Sequence, residues 1–296
     1  MAGLYLDFPL TNGSRICVQR HEDRMHMPNM RSDGIVPDHA HEFYEIVLIL
    51  RNSCRHVYQQ DETTLIPGDL FMIPPHRSHL LHFTEDVLYY NCQFFADALP
   101  GEWMEDVQAL TYDRLKANIG GFADRFSIDR QGILHLNSDE INETVKILDL
   151  ILKEQSSTFS DSERMKRILL CLLLARIKRI RDQRFIQPDG SGDWKEKIVH
   201  ETLAAFEKGL DQDWDMNELA ARNNLSSGYF RRIFREITGM PPRQFLNQIR
   251  INRAVDMIQH QGLSIYDAAC SIGIHDLNYF SRLCRQLTGY PPSHFR

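Results

Sequence analysis

The stretch Tyr229–Phe245, YFRRIFREITGMPPRQF, returns fifty residues later as Tyr279–Phe295, YFSRLCRQLTGYPPSHF, with nine of the seventeen positions identical. In the first copy Phe230, Ile233, Phe234 and Ile237 recur at three- and four-residue spacing, which predicts an amphipathic helix with one buried face. Arg231, Arg232 and Arg235 fall mostly off that face. In the second copy Phe280, Leu283, Cys284 and Leu287 repeat the apolar set, and Arg282 and Arg285 repeat the projecting one. Thr-Gly ends each helix. Pro241-Pro242 and Pro291-Pro292 stop the chain there and start the next helix.

Ahead of the copies lie MNELAARNNLSSG and IYDAACSIGIHDLN, each reading as a short helix, a tight turn and the start of a second helix. The small residues of Leu219-Ala220 and Ala268-Ala269 let two helices approach closely. Asn224 and Gly273 tolerate the left-handed backbone of such a turn, Leu225 and Ile274 anchor it, and Ser226 or Ser227 caps the following helix. This is a helix-turn-helix pattern, twice. A helix over 243–260, about 25 Å long at 1.5 Å per residue, would join the two units. It is long enough to hold both second helices on one face of a duplex, whose successive major grooves are ~34 Å apart. A single arginine-bearing face is ordinarily just solvated. Two copies with aligned arginines and matching turns point to nucleic acid, because guanidinium groups suit guanine edges and phosphates.

Charge supports that location. The whole chain of 296 residues has a formal net charge of −6. Residues 1–192 hold 21 basic and 28 acidic residues, a net of −7, whereas residues 216–296 hold 10 and 5, a net of +5. The six cysteines are scattered with no Cys-x-x-Cys pair, as expected of reduced thiols in a cytoplasmic protein. The N-terminus lacks the basic-then-apolar pattern of a signal peptide. The longest apolar run, Ile168–Ala175, is far short of the ~20 residues of a membrane span. Membrane association is therefore not expected.

Residues 15–95 read as β-rich, with strand-like runs at 45–50, 56–60, 70–73 and 88–95 punctuated by Pro-Gly-Asp at 67–69 and Pro74-Pro75. Helices are expected over 137–155, capped by Asn137 or Ser138, and over 160–183. Their apolar stripes are Ile141, Val145, Leu148 and Leu152, then Met165, Ile168, Leu169, Leu172, Leu173 and Ile177. Gln187–Asp193, QPDGSGD, reads as a linker, and Trp194–Gly209 as a further helix. Trp103, Trp194 and Trp214 read as core anchors. The expected fold class is α+β in two parts: a β domain over 1–136 with a helical segment over 137–186, a linker over 187–193, and an all-α domain over 194–296.

The double helix-turn-helix, its joining helix and the terminal Thr-Gly-x-Pro-Pro-x-x-Phe resemble the AraC/XylS family of bacterial transcription regulators. The resemblance is strong over about residues 193–296 and less specific over 15–185. It implies a sequence-specific DNA-binding regulator, mostly of the activator kind, that contacts RNA polymerase. It also implies a cupin-like β-barrel for a small-molecule effector, commonly a sugar, and a helical segment that forms a homodimer. By position, base contacts would fall on Gly228, Arg231 and Arg232 in the first unit and on Leu277, Asn278 and Arg282 in the second. Arg235, Arg285 and the helix starts at Ser227 and Asp276 would meet phosphates. Gly228 stands where members often carry a larger side chain, so the first helix would read fewer base edges. Leu277 offers an apolar contact, such as to a thymine methyl.

Eight of the thirteen histidines lie between His21 and His82. HAHEFYE places His39, His41 and Glu45 two and four residues apart, on one face if the segment is a single strand. GDLFMIPPHRSH adds His79. Together these resemble the two cupin motifs, His-x-His-x3-Glu and Gly-x5-Pro-x4-His. The departures are His76, where a Gly usually follows the Pro, and Phe83, where the motif closes on Asn. Three readings stay open: polar contacts to an organic effector, a divalent metal on three imidazoles and a carboxylate (Fe, Mn, Ni or Zn), or structural histidines. No cofactor is otherwise implied. The competing functional reading is a metal-dependent cupin enzyme fused to a DNA-binding domain.

Overall fold

A computed structural model describes residues 4–5, 14–22, 35–58, 61–82, 87–118, 132–186 and 194–296. Gln59, Gln60, Phe83 and the linker at 187–193 lie outside them. The chain divides into two compact units, Met1–Gly192 and Asp193–Arg296.

The first unit holds two five-stranded sheets. One runs in the order β1 (Leu4–Tyr5), β3 (Ile35–Ala40), β8 (His79–His82), β5 (Cys54–Tyr58), β6 (Asp61–Leu65). The other runs β10 (Leu134–His135), β7 (Asp69–Ile73), β4 (Tyr44–Arg51), β9 (Leu88–Phe94), β2 (Ile16–His21). Every pairing is antiparallel except β1 with β3. β4 shows why its sequence, YEIVLILR, is almost continuously apolar. Side chains alternate along a strand, and here both faces are covered. Val47 and Ile49 join Phe71, Ile73, Tyr89, Cys54, Tyr58 and Leu81 in an interior cluster. Ile46 and Leu48 join Leu70, Met72, Tyr90, Cys92 and Phe94 on the opposite face. That face is roofed by α1 (Met104–Leu110), α3 (Ser138–Gln155) and α4 (Ser162–Ile186), while α2 (Tyr112–Asn118) sends Tyr112 into the interior cluster. The architecture is cupin-like.

Asn137 caps α3 with a full capping box: its side chain accepts from the Glu140 amide, and the Glu140 carboxylate accepts from the Asn137 amide. The buried stripe of α3 is Thr144, Ile147, Leu148 and Ile151, with Ile141, Val145 and Leu152 packed at its border. On α4 the core-facing residues are Leu170, Leu173, Leu174, Ile177 and Ile180. Met165, Ile168 and Leu172, expected inward, are instead exposed, as is Leu150 of α3. The run from Ile168 to Ala175 is apolar on every side, so spacing alone cannot say which part of it faces the core.

The second unit is helical: α5 (Trp194–Lys208), α6 (Met216–Arg222), α7 (Ser227–Thr238), α8 (Pro242–His260), α9 (Ile265–Ser271) and α10 (Leu277–Thr288), closed by a 3-10 turn at Pro292–Phe295. α7 and α10 are both twelve residues long, and both end on a glycine with φ 81°, Gly239 and Gly289. The two cores are separate. Phe206, Phe230, Phe234 and Phe245 meet ring to ring under the first pair of helices. Ile251, Ala254, Val255 and Ile258 of α8 pack with Ala268, Ala269, Ile272, Ile274, Phe280, Leu283 and Cys284 under the second. Ile237 and Leu287 are only partly buried. Trp194 is exposed, not a core anchor, and stacks on Tyr229 with ring centroids 6.0 Å apart. Among the described residues no helix is long and apolar enough to cross a membrane.

Candidate functional site

In the helical unit each turn has the demanded backbone: Asn224 has φ 56° and Gly273 φ 74°. The amide of Leu225 donates to the Ala220 carbonyl at 2.9 Å, and that of Ile274 to the Ala269 carbonyl at 2.9 Å, so the two turns close identically. Ser226 caps α7 by accepting from the Tyr229 amide. Asp276 caps α10 by accepting from the amides of Asn278 and Tyr279. Burying Phe230, Ile233 and Phe234 turns Arg231, Arg232 and Arg235 outward, and all three are exposed. Burying Phe280, Leu283 and Cys284 does the same for Arg282 and Arg285, and Leu277 and Asn278 are exposed at the start of α10. Gly228 is exposed, with nothing within 4 Å of where a Cβ would stand. Ser227 donates its hydroxyl hydrogen to Asn217 at 2.7 Å, which ties α7 to α6. The Arg232 guanidinium lies over the Tyr229 ring, 4.7 Å from its centroid.

In the β unit His39, His41, Glu45 and His79 are all buried, with their ligand atoms within 4.8 Å of one another. The first three do not share one strand face as the spacing suggested. β3 ends at Ala40 and β4 begins at Tyr44, so His39 sits on one sheet, Glu45 on the other and His41 in the corner between them. His79 lies directly across from His39 on β8. The turn before it passes through His76, whose φ of 63° explains why glycine is usual at that place in the motif, and the His76 amide donates to the His41 carbonyl at 2.8 Å.

The contacts define which atoms face inward. His39 Nδ1 donates to the Pro37 carbonyl and His41 Nδ1 to the Phe43 carbonyl, each at 2.8 Å. A carbonyl only accepts, so each Nδ1 carries a proton and each ring turns its Nε2 to the centre. Asn91 Nδ2 donates to Glu45 Oε1 at 2.7 Å and Gln93 Nε2 to the same oxygen at 3.4 Å, which leaves Oε2 pointing at the histidines. His79 Nε2 is 2.9 Å from His39 Nε2 and 3.2 Å from Glu45 Oε2; His41 Nε2 is 3.5 Å from that oxygen. Burial lowers the His39 and His79 pKa values below the ordinary histidine range. Burial alone would raise the Glu45 carboxyl, but His79, His41 and His39 outweigh it and hold the group well below the usual carboxylate range. The centre is thus a carboxylate among imidazoles.

Comparison with known proteins bears on both units. The AraC-like ligand binding domain family matches residues 31–140, and a helix-turn-helix domain family matches residues 219–296. The chain belongs to the AraC family of transcription regulators. It is 25% identical over 247 residues to the HTH-type transcriptional activator RhaR of Enterobacter sp. (strain 638), covering 83% of this chain and 81% of that one. The RhaR protein of Cronobacter sakazakii (strain ATCC BAA-894) is likewise 25% identical over 246 residues, with 83% and 81% covered. The solved structure of ToxT from Vibrio cholerae aligns with 95% of this chain and 97% of its own at 11% identity, with a TM-score of 0.32, too loose a likeness to argue from.

As an AraC-family member the protein is a DNA-binding transcription regulator with an N-terminal ligand-binding domain. The competing reading, an enzyme fused to a DNA tether, finds no support among its relatives. Several groups around the two sites were missed in the sequence. Asn91 and Gln93, which aim Glu45, are the polar residues at inward positions of LYYNCQFF, and that alternation was the available signal. His56 is buried in the same interior, stacked on Phe71 at 4.6 Å, with no hydrogen-bond partner for either ring nitrogen and its pKa lowered to about 3 by burial. Nothing in its strand's sequence marked it. Tyr229 as the support of Arg232 follows from i, i+3 spacing on a helix.

Proposed function

We propose that this regulator is a cytoplasmic activator that binds double-stranded DNA as a homodimer under the control of a small molecule held in the β-barrel. The observation that carries the reading is the matched pair α7 and α10, each with an exposed guanidinium face above its own core and a capped N-terminus. Gly228, Arg231 and Arg232 of one helix and Leu277, Asn278 and Arg282 of the other then read base edges. Arg235, Arg285 and the helix starts at Ser227 and Asp276 hold phosphates. Relatives named as transcriptional activators support activation, and with it contact with RNA polymerase. The exposed Leu150, Met165, Ile168 and Leu172 on α3 and α4 suit a second copy of the same segment.

His39, His41, Glu45 and His79 supply the polar contacts of the effector site, beside aromatic Phe43 and Phe71. A carbohydrate is the class the family resemblance favours. Effector binding changes DNA affinity to the extent that the effector prefers one state of the protein over another. Footprinting of the regulator on its own upstream region, with and without a panel of sugars, tests the reading. A protected site whose strength or extent depends on one sugar is expected. Protection that no sugar changes would remove the carbohydrate, and no protection at any salt concentration would remove the DNA-binding assignment.

A further inference from the structure

We propose that Arg250 is a positioning residue for DNA recognition: by clamping the loop between α5 and α6 it fixes how α10 stands relative to α7, and so which spacing between two groups of bases the protein accepts. The inference rests on the reading of α7 and α10 as the helices that meet bases.

The two helix pairs have separate cores strung on α8. Phe245 belongs to the first, and Ile251, Ala254, Val255 and Ile258 belong to the second. A shared axis holds the two pairs at a set distance, but rotation about that axis is best fixed by a contact lying off it. The loop over 209–215 makes one. Trp214 seats the loop on the first core, with its ring 5.4 Å from that of Phe206 and its indole N–H donated to the Gly209 carbonyl at 2.7 Å. The next three carbonyls go elsewhere. Those of Leu210 and Gln212 accept from Arg250, from Nε at 2.7 Å and from Nη2 at 2.6 Å. That of Asp211, between them, abuts the turn leading from α9 into α10: a Cβ on Gly273 would stand 2.3 Å from its oxygen. The joining helix thus grips a loop of the first pair at the point where that loop meets the second.

The grip is specific to arginine. Nε–H and one Nη2–H point the same way in the guanidinium plane, a rigid fork that reaches two carbonyls at once, whereas a Lys ammonium is a point charge on a flexible stem. Arg250 is only 7% exposed. A buried charge needs hydrogen-bond partners, so the loop cannot move away without stripping the guanidinium of two of them. Gly273, with φ 74° and no room for a side chain, keeps the second contact close. Being buried, Arg250 is not itself placed to meet DNA. Its effect on recognition passes through the placement of α7 and α10.

The test uses the full-length protein and a duplex carrying one half-site, taken from the sequences that the wild type selects from a random pool. One base pair is added or removed between the two base clusters, which turns one cluster by about 35° and moves it ~3.4 Å relative to the other. The wild type should bind either altered duplex about 10- to 100-fold more weakly, the loss of one cluster of contacts. Arg250→Met should bind all three duplexes within about 3-fold of one another, and Arg250→Lys should fall between it and the wild type. Circular dichroism shows whether each variant is folded. Should Arg250→Met not fold, Arg250→Lys carries the test, because its spacing preference must still be weaker than that of the wild type. Folded variants that bind more weakly but keep the wild-type ratio among the three duplexes would make Arg250 a support of the fold alone and overturn the proposal. So would a wild type that binds its half-site sequence-specifically yet tolerates either change of spacing. Both results leave the DNA reading standing; a wild type that prefers no sequence would remove that reading, and the clamp's role with it.

Discussion

Asn224 and Gly273 occupy the same place in two turns, with φ of 56° and 74°, yet they stand in different surroundings. A Cβ on Gly273 would come within 2.3 Å of the Asp211 carbonyl oxygen, so the second turn is packed against the α5–α6 loop, whereas Asn224 is exposed. The helices that follow diverge in the same way. α7 opens on Ser227-Gly228 and exposes three arginines, while α10 opens on Leu277-Asn278 and exposes two. The positions identical in the two copies are mostly those that bury a ring, close a turn or end a helix. The positions that differ include the buried pairs Ile233/Leu283 and Phe234/Cys284 as well as the exposed pairs Glu236/Gln286, Arg243/Ser293 and Gln244/His294. One scaffold has been kept twice with the outward pairs Arg232/Arg282 and Arg235/Arg285 in common, while Arg231/Ser281 and the helix starts differ, as expected if the two helices meet different stretches of DNA.

The comparison breaks most visibly in the cores. Phe230→Ala and Phe280→Ala each remove a fully buried ring and should each cost about 3–5 kcal/mol. Because the cores are separate, hydrogen exchange should rise in α6 and α7 for the first variant and in α9 and α10 for the second. Equal loosening of both pairs in either variant would show that the copies are one cooperative block. At the turns, Gly273→Ala combines a positive φ with the Asp211 collision and should destabilise by about 2–4 kcal/mol. Asn224→Gly, at an exposed turn that already adopts this backbone, should change stability in urea by no more than about 0.5 kcal/mol. A similar loss at both positions would mean that φ, not packing, distinguishes the turns.

On the outward faces the effects are smaller in stability and larger in recognition. Arg282→Ala should leave melting unchanged and weaken the cognate site by about 1–3 kcal/mol, relaxing one base position. A uniform loss on all sequences would make Arg282 a phosphate clamp. Gly228→Ala, with open space around the new methyl, should stabilise α7 by about 0.5–1 kcal/mol as judged by thermal unfolding. If Gly228 lies against DNA, the same change should also weaken binding, and unchanged affinity would remove it from the contact set.

The helical unit was largely legible in the sequence because its signals are local. Turn residues, caps and three-four spacing lie within a dozen residues of one another, and repetition supplied an internal control. Trp194 misled because an aromatic side chain is a poor guide to burial when its partner, Tyr229, is itself half exposed. The β unit was legible in its motif residues but not in their geometry. His39, His41 and Glu45 are close in sequence, yet a corner between two sheets brings them together, and His79 joins through strand pairing forty residues away. β3, β6 and β8 were missed because Pro37, Asp61 and the histidines of HLLH mask strand periodicity. On α4 an apolar surplus hid which face is core, and that surplus is the exposed patch proposed above to meet a second copy.

Selection of bound sequences from a random duplex pool tests the central claim most directly, using wild-type protein, Arg232→Ala and Arg282→Ala in parallel. The account predicts, within each half-site, two clusters of preferred bases about ten base pairs apart, one blurred by each variant with the other left intact. A single cluster, or two variants that blur the same bases, would contradict a pair of independent reading helices.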